Sequence, residues 1–396
     1  MRDIKGIKNI AVIGGGIMGR GIAQVFLMAG FQKVVIYDII SEVLDDALKK
    51  IKIGLDKSKK KGLIEERSVN SYMKKLFKET NFSLAIIDAD FIIEAVTEDI
   101  KIKLSLYEIL GKFAPNHTIF ASNTSTIKVT DLAEVSKRSE RVVGMHFFLP
   151  PVSQCCVEVM KTEKTDDRIF NLVIEIGKNL PCLNGKNRFV AQINKDSPGF
   201  IANRLLLTPL IYLNWIADQA KKKEIPFEQL DADAGNIMPM GPFELNDYLG
   251  LDVAYYSLKN FEKYVSPDFA PGKILSELIS EGKYGRKTGC GFYNWNKDGK
   301  PQLDKSKRAN FLNPEIILAI QLNEGCKLLE QGIVPGYKVI EDVMIKGPGI
   351  PGPFSAGKRK YQYWSKLLED LVKETGKNYL QPCKLMTSGN FINMRK

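Results

Sequence analysis

Residues 9–13, Asn-Ile-Ala-Val-Ile, form a short apolar run that breaks into Gly14-Gly15-Gly16-Ile17-Met18-Gly19, after which Ile22, Ala23, Phe26 and Leu27 recur at helical spacing. Strand, tight turn and helix in that order constrain this chain more than any other feature. Gly14 lets the backbone turn, Gly16 lets it approach a pyrophosphate, and Gly19 lets helix pack on strand, while the first N–H groups of the helix face the anion. Residues 33–37, Lys-Val-Val-Ile-Tyr, read as the next strand and end in Asp38, nineteen residues after Gly19. A carboxylate there accepts hydrogen bonds from ribose hydroxyls and repels a 2′-phosphate, and no arginine follows to reverse that preference. The expectation is a dinucleotide site for NAD rather than NADP, lined by Gly14, Gly15, Gly16, Ile17, Met18, Gly19 and Asp38.

The alternation continues downstream. Residues 91–96 and 118–121 read as buried strands, 101–113 as an amphipathic helix between them, and 141–148 as a further strand. Such alternation implies a mainly parallel sheet, with ligands beyond the carboxyl ends of its strands. Glu98, Ser125 and His146 all fall at or just after such ends, on one rim. His146 is one of only two histidines. Imidazole is the natural candidate for moving a proton near neutral pH, although a histidine among apolar residues is often a satisfied core residue. Read singly, Glu158 could be the exposed face of a strand, Ser125 could cap the following helix, and Asn203 could simply be solvated.

Composition narrows the class. A chain of 396 residues exceeds one growing core, so two or three domains are expected. No apolar run approaches the ~20 residues of a membrane span, and no signal-peptide pattern opens the chain, so the expectation is a cytoplasmic protein without membrane association. The net charge of +11 comes from lysines spread along the chain, densest at 57–61, where a solvated helix end competes with a site for an anionic substrate. Nucleic acid is not expected, because the lysines are not interleaved with aromatics and no recognition motif accompanies them. The 6 cysteines show neither CxxC spacing nor a disulfide framework, so reduced, mostly buried thiols and no metal site are expected.

From Ser197-Pro198-Gly199-Phe200 onward the periodicity is helical, with Pro198 suited to a helix start and the preceding 184–187 stretch to a turn or hairpin. Leu230-Asp231-Ala232-Asp233 runs on to Gly241-Pro242-Phe243, and Ile340-Glu341-Asp342-Val343 runs on to Gly352-Pro353-Phe354, the two triplets lying 111 residues apart. A duplicated helical unit and a chance recurrence of Gly-Pro turns both fit. The expected fold class is therefore α/β. A Rossmann-like NAD-binding domain at 1–195 is followed by an all-α domain in two copies, at 196–298 and, degenerate, at 299–396.

Over about residues 8–295 the sequence resembles the L-3-hydroxyacyl-CoA dehydrogenase family of fatty-acid oxidation. The resemblance rests on the glycine turn, Glu94-Ala95-Val96-Thr97-Glu98, Ser122-Asn123-Thr124-Ser125, His146-Phe147-Phe148, Val157-Glu158-Val159, residues 196–204, Gly241-Pro242-Phe243-Glu244-Leu245 and residues 285–293, in that order. It implies that His146 is a general base oriented by Glu158, that Ser125 and Asn203 hydrogen-bond the reacting 3-oxygen, and that Glu98, Lys103, Ser125 and Lys287 contact NAD. It also brings Lys61 close to a position that meets CoA phosphates. The implied reaction is reversible NAD-dependent oxidation of an L-3-hydroxyacyl-CoA to the 3-ketoacyl-CoA. A free hydroxy-acid dehydrogenase of the gulonate type and a non-catalytic NAD-binding scaffold are the alternatives. Two departures stand out: Leu149 replaces an asparagine that helps place the cofactor, and the 183–195 connection is long. Two helical copies suggest a pseudo-dimeric monomer or a differently built homo-oligomer, and the resemblance suggests an enoyl-CoA hydratase as a functional partner.

Overall fold

The sheet is organised around Asn9–Ile13 (β1), buried from its second residue onward, which is why it reads as a continuous apolar run instead of an alternating one. The computed structural model describes residues 4–64, 68–183, 188–235, 240–296, 298–301, 303–304 and 306–396. The expected turn at 184–187 lies outside them. Lys33–Tyr37 (β2) and Leu76–Glu79 (β3) extend the sheet on one side of β1. Phe91–Glu94 (β4), Ile119–Ser122 (β5), Val142–Phe147 (β6), Cys156–Lys161 (β7) and Phe189–Ile193 (β8) extend it on the other, giving the order β3-β2-β1-β4-β5-β6-β7-β8. Strand order reverses between β1 and β4, so a crevice opens beyond their carboxyl ends. All pairings are parallel except β6 with β7, which run antiparallel and place His146 directly opposite Glu158.

The helices of this layer are Ile17–Met28 (α1), Ser41–Lys60 (α2), Ser68–Met73 (α3), Phe82–Ile86 (α4), Ile100–Phe113 (α5), Val129–Ser136 (α6) and Asp167–Asn179 (α7). In α2 the buried residues are Leu44, Ala47, Ile51, Leu55 and Ser58, a stripe three to four residues apart on a helix that packs chiefly against α1. The core beneath joins Phe26, Phe91, Val34, Ile51 and Val143. Each large aliphatic or aromatic side chain so buried contributes about 1.5–3 kcal/mol.

Ala202–Leu207 (α8), Leu210–Lys222 (α9), Phe227–Ala234 (α10), Pro242–Leu249 (α11), Leu251–Tyr264 (α12), Lys273–Ser280 (α13), Pro314–Glu330 (α14), Tyr337–Lys346 (α15), Phe354–Thr375 (α16) and Lys384–Ser388 (α17) follow. Two buried carboxylates staple the motifs here. Asp231 accepts hydrogen bonds from the N–H groups of Phe243 and Glu244 and from the Tyr293 hydroxyl. Asp247 accepts from the N–H groups of Phe292 and Tyr293 and from the Trp295 indole. No described helix is long and apolar enough to cross a membrane.

Two expectations are corrected, the helix start at Pro198 and the reduced state of every cysteine. The helix expected at Pro198 begins at Ala202, because Gly199 and Phe200 adopt φ of 89° and 53° and turn the chain first; Pro314, by contrast, does open its helix, behind the Asn313 cap. The chain divides into one compact unit of residues 1–202 with Gly332–Gly352 and another of Asn203–Gln331 with Pro353–Lys396, so a stretch from late in the chain returns to the first unit. The reason lies at the sheet edge: α15 packs on β7 and β8, Lys346 sits 4.4 Å over the Phe189 ring, and the Asn194 N–H donates to the Ile333 carbonyl. The long 183–195 connection contains β8. Finally, Cys155 and Cys182 are disulfide-bonded, their Cα atoms brought to 5.3 Å by the packing of α7 against β7; of the other four cysteines, Cys156 and Cys326 are buried.

Candidate active site

The glycine turn divides its labour as its spacing requires. Gly14 has φ of 108°, and a Cβ there would lie 2.6 Å from the Ala95 carbonyl oxygen; a Cβ on Gly19 would lie 1.8 Å from the Gly14 oxygen. These two are fixed by packing. Gly16 differs, because a Cβ added there meets nothing within 4 Å. It caps α1 without any side-chain hydrogen bond, so the first N–H groups of a twelve-residue helix, Ile17 and Met18 among them, stand without a side-chain cap beside open backbone. Asp38 adjoins this turn, with Oδ2 accepting from the Gly15 N–H at 2.8 Å and Oδ1 from the Ile40 N–H at 3.1 Å. An open, uncapped helix terminus beside a carboxylate fits a dinucleotide's pyrophosphate and ribose.

At the neighbouring strand ends lies a buried polar network. Glu94, fully buried at the end of β4, binds the Lys103 ammonium at 2.5 Å, the Ser122 hydroxyl at 2.6 Å and the Val96 N–H at 2.8 Å. Lys103 reaches on to Glu98 at 3.2 Å. Burial lowers the Lys103 pKa, but the two carboxylates outweigh it and the net shift is upward. Only 1% of Lys103 is exposed, and its ammonium, engaged by two carboxylates, holds Glu98 in place. Glu98 itself gathers the loop after β5, accepting from the Thr124 hydroxyl at 2.6 Å and from the N–H groups of Ser125 and Thr126 at 2.8 and 3.0 Å. Burial raises its pKa, yet Lys103 and these hydrogen bonds prevail and hold it below the usual carboxylate value, although 35% of the side chain remains open on one side.

Ser125 is thereby set facing His146, with Oγ 3.4 Å from Nε2. It does not cap α6; Asp196 does, accepting from Thr130 N–H at 2.6 Å and Val129 N–H at 3.4 Å. His146 is 6% exposed, and its Nδ1 lies 2.7 Å from Glu158 Oε2. Glu158 is fully buried, which excludes the solvated-strand reading, and its Oε1 accepts from the N–H groups of Ile201 and Ala202 at 2.8 and 3.0 Å. The imidazole is packed between Phe148 and Phe200, each with its ring centroid at 5.1 Å. Phe148 in turn rests against Gly347, where a Cβ would lie 2.7 Å from the ring. The Phe147 N–H donates to Asn123 Oδ1 at 2.9 Å, tying the loop after β5 to the end of β6.

One site thus contains Ser125, His146, Glu158 and Glu98. Leu149 follows it, 56% exposed and joined to Pro150 by a cis peptide. Lys61 terminates α2 with an exposed side chain. Asn203 and Lys287 belong to the second unit, where Lys287 is ion-paired with Asp252 at 2.8 Å. Sequence reasoning assigned no role to Glu94, Ser122, Asn123, Thr124, Asp196 or Phe200. A carboxylate inside the apolar run 91–96 was the available signal for Glu94, since a buried charge needs a partner.

Comparison with known proteins agrees with this geometry. The family described as 3-hydroxyacyl-CoA dehydrogenase, NAD binding domain, matches residues 9–184, and the corresponding C-terminal domain matches residues 199–295. The mitochondrial hydroxyacyl-coenzyme A dehydrogenase of Sus scrofa is 37% identical over 298 residues, 73% of this chain and 91% of that one. The fatty acid oxidation complex subunit alpha of Vibrio campbellii is 31% identical over 390 residues, 94% of this chain but 53% of that one. Among solved structures, (S)-3-hydroxybutyryl-CoA dehydrogenase from Ralstonia eutropha has a TM-score of 0.64 and 29% identity, covering 74% of this chain and all of that one. The 3-hydroxybutyryl-CoA dehydrogenase of Escherichia coli K12 shares the fold over 98% of this chain and 99% of that one, with a TM-score of 0.79 at 24% identity.

Proposed function

The chain belongs to the 3-hydroxyacyl-CoA dehydrogenase family and is an NAD-dependent oxidoreductase of 3-hydroxyacyl-CoA, and from that premise we propose that His146 is its general base and Glu158 the residue that orients it. One observation carries the reading. Glu158 has one oxygen taken by two backbone N–H groups and the other by His146 Nδ1, which leaves Nε2 as the nitrogen turned toward Ser125. Removing the hydroxyl proton of a secondary alcohol requires a base within hydrogen-bond reach of that oxygen. His146 Nε2 takes the proton, and the imidazolium so formed faces a fixed anion in a dry setting. Ser125 Oγ and the Asn203 amide hydrogen-bond the same oxygen without adding charge. NAD, when bound, would supply the hydride acceptor for that carbon. In reduction, His146 returns the proton to the ketone.

Gly14 to Gly19 would cradle the pyrophosphate at the α1 terminus, and Asp38 would bind the adenosine ribose. Glu98, Lys103, Ser125 and Lys287 would line the cofactor site, and Lys61 would meet the CoA phosphates. The substrate is the L isomer of a short or medium acyl chain. The second helical segment is a degenerate copy of the first: Asp231 lies against Gly241 of one Gly-Pro-Phe triplet, and Glu341 lies against Gly352 of the other. Such a copy would let one chain satisfy the pairing surface as a pseudo-dimeric monomer. The match to a fatty acid oxidation complex subunit supports a hydratase partner.

The test is NADH oxidation with acetoacetyl-CoA, longer 3-ketoacyl-CoAs and a free keto acid. Turnover restricted to the thioesters is expected. Equal or better turnover of the free acid would remove the CoA reading, and no turnover of any would remove the dyad's catalytic role.

A further inference from the structure

Arg204 follows Asn203 on α8, and it is a buried cation whose counter-ion comes from outside the family-matched residues. Its guanidinium binds Glu324 Oε1 through Nε and a terminal nitrogen, each at 2.5 Å, and reaches the Tyr379 hydroxyl at 3.1 Å. That hydroxyl also lies 3.0 Å from both Glu324 oxygens. Tyr379 is itself clamped: its N–H donates to Asp268 at 2.6 Å, its ring meets Phe269 at 4.9 Å, and the Lys327 ammonium lies 3.7 Å over the ring and donates to its carbonyl. Glu324 sits on α14, and Tyr379 lies still later in the chain.

Helix α8 has six residues, too few to hold itself in water. Its direction is therefore set by what grips it. Glu158 grips the N–H groups of Ile201 and Ala202, and Glu324 with Tyr379 grips Arg204. Only Asn203 stands between these two anchored stretches of backbone. We propose that Arg204, Glu324 and Tyr379 are positioning residues that fix the rotation of α8 and so aim the Asn203 amide at the substrate oxygen, making the segment beyond residue 295 part of the substrate site. This rests on the role proposed above for Asn203.

The test uses the full chain and the variants Tyr379→Phe, Glu324→Gln, Asn203→Ala and Asn203→Ala/Tyr379→Phe, with kcat and KM for acetoacetyl-CoA, NAD affinity and Tm measured for each. Tyr379→Phe keeps the ion pair and the ring, so it remains folded if Glu324→Gln does not. Its kcat/KM should fall roughly tenfold or more, the scale of a small misplacement, with NAD affinity unchanged. In the Asn203→Ala background the same substitution should cost nothing further. Wild-type kcat/KM in Tyr379→Phe, or an equal loss in both backgrounds, would overturn the proposal while an impaired Asn203→Ala keeps the substrate role. Wild-type turnover by Asn203→Ala would instead remove that role and the proposal with it.

Discussion

Glu94 at the end of β4 and Glu158 within β7 are both fully buried carboxylates on one sheet, and each has every oxygen engaged, yet their partners differ in kind. Glu94 faces the ammonium of Lys103, which the two neighbouring carboxylates hold charged, together with a hydroxyl and a backbone N–H. That cluster is closed. Glu158 faces an imidazole, whose second nitrogen remains turned toward a serine 3.4 Å away. A permanent ion pair neutralises itself and organises its surroundings, whereas a carboxylate paired with histidine can gain a full charge partner during a reaction and lose it again. The same residue type is thus a strut in one place and an electrostatic stabiliser in the other.

Substitutions can break that contrast. Glu158→Gln should keep the fold but remove the anion that stabilises an imidazolium, lowering kcat by about 10³- to 10⁴-fold, as steady-state kinetics with acetoacetyl-CoA will show. Lys103→Met should act in the other currency, leaving Glu94 buried without its cation and costing about 3–5 kcal/mol in urea denaturation. Folded Lys103→Met that turned over as poorly as Glu158→Gln would erase the distinction. Glu98→Gln sharpens it on a smaller scale. Because the Glu98 pKa is held below its ordinary value of 4.5, its carboxylate contributes stability that is fully present above that value and lost as pH falls through the lowered one. Unfolding followed from pH 6 downward should therefore show a shallower acid decline in Glu98→Gln than in the unmodified chain. Identical slopes would mean that Glu98 is not held ionised by its loop.

What the sequence reveals follows the same division between local and distant causes. The β1 turn and α1 were legible because Gly14 and Gly19 are demanded by atoms within a few residues or one strand away. The edge strand β8 and the return of Gly332–Gly352 to the sheet were not, since both depend on pairing and packing between segments far apart in sequence. At the site, His146 was marked by scarcity and by its motif, and Glu158 by its motif alone. Nothing in a run such as 157–159 tells that both faces of the strand are covered, or that the antiparallel pairing of β6 with β7 sets Glu158 opposite His146. Lys103 shows the converse. A lysine on an amphipathic helix reads as exposed, and it is buried because two carboxylates from the strand end and its loop await it.

The central claim is that one histidine, held by one buried carboxylate, moves the proton in NAD-dependent chemistry. The most direct measurement is kcat of His146→Ala with acetoacetyl-CoA and NADH, alongside NADH affinity measured by fluorescence titration. A loss of about 10²–10⁴ in kcat with cofactor affinity retained is the predicted result. Turnover within a factor of a few of the unmodified chain would contradict it.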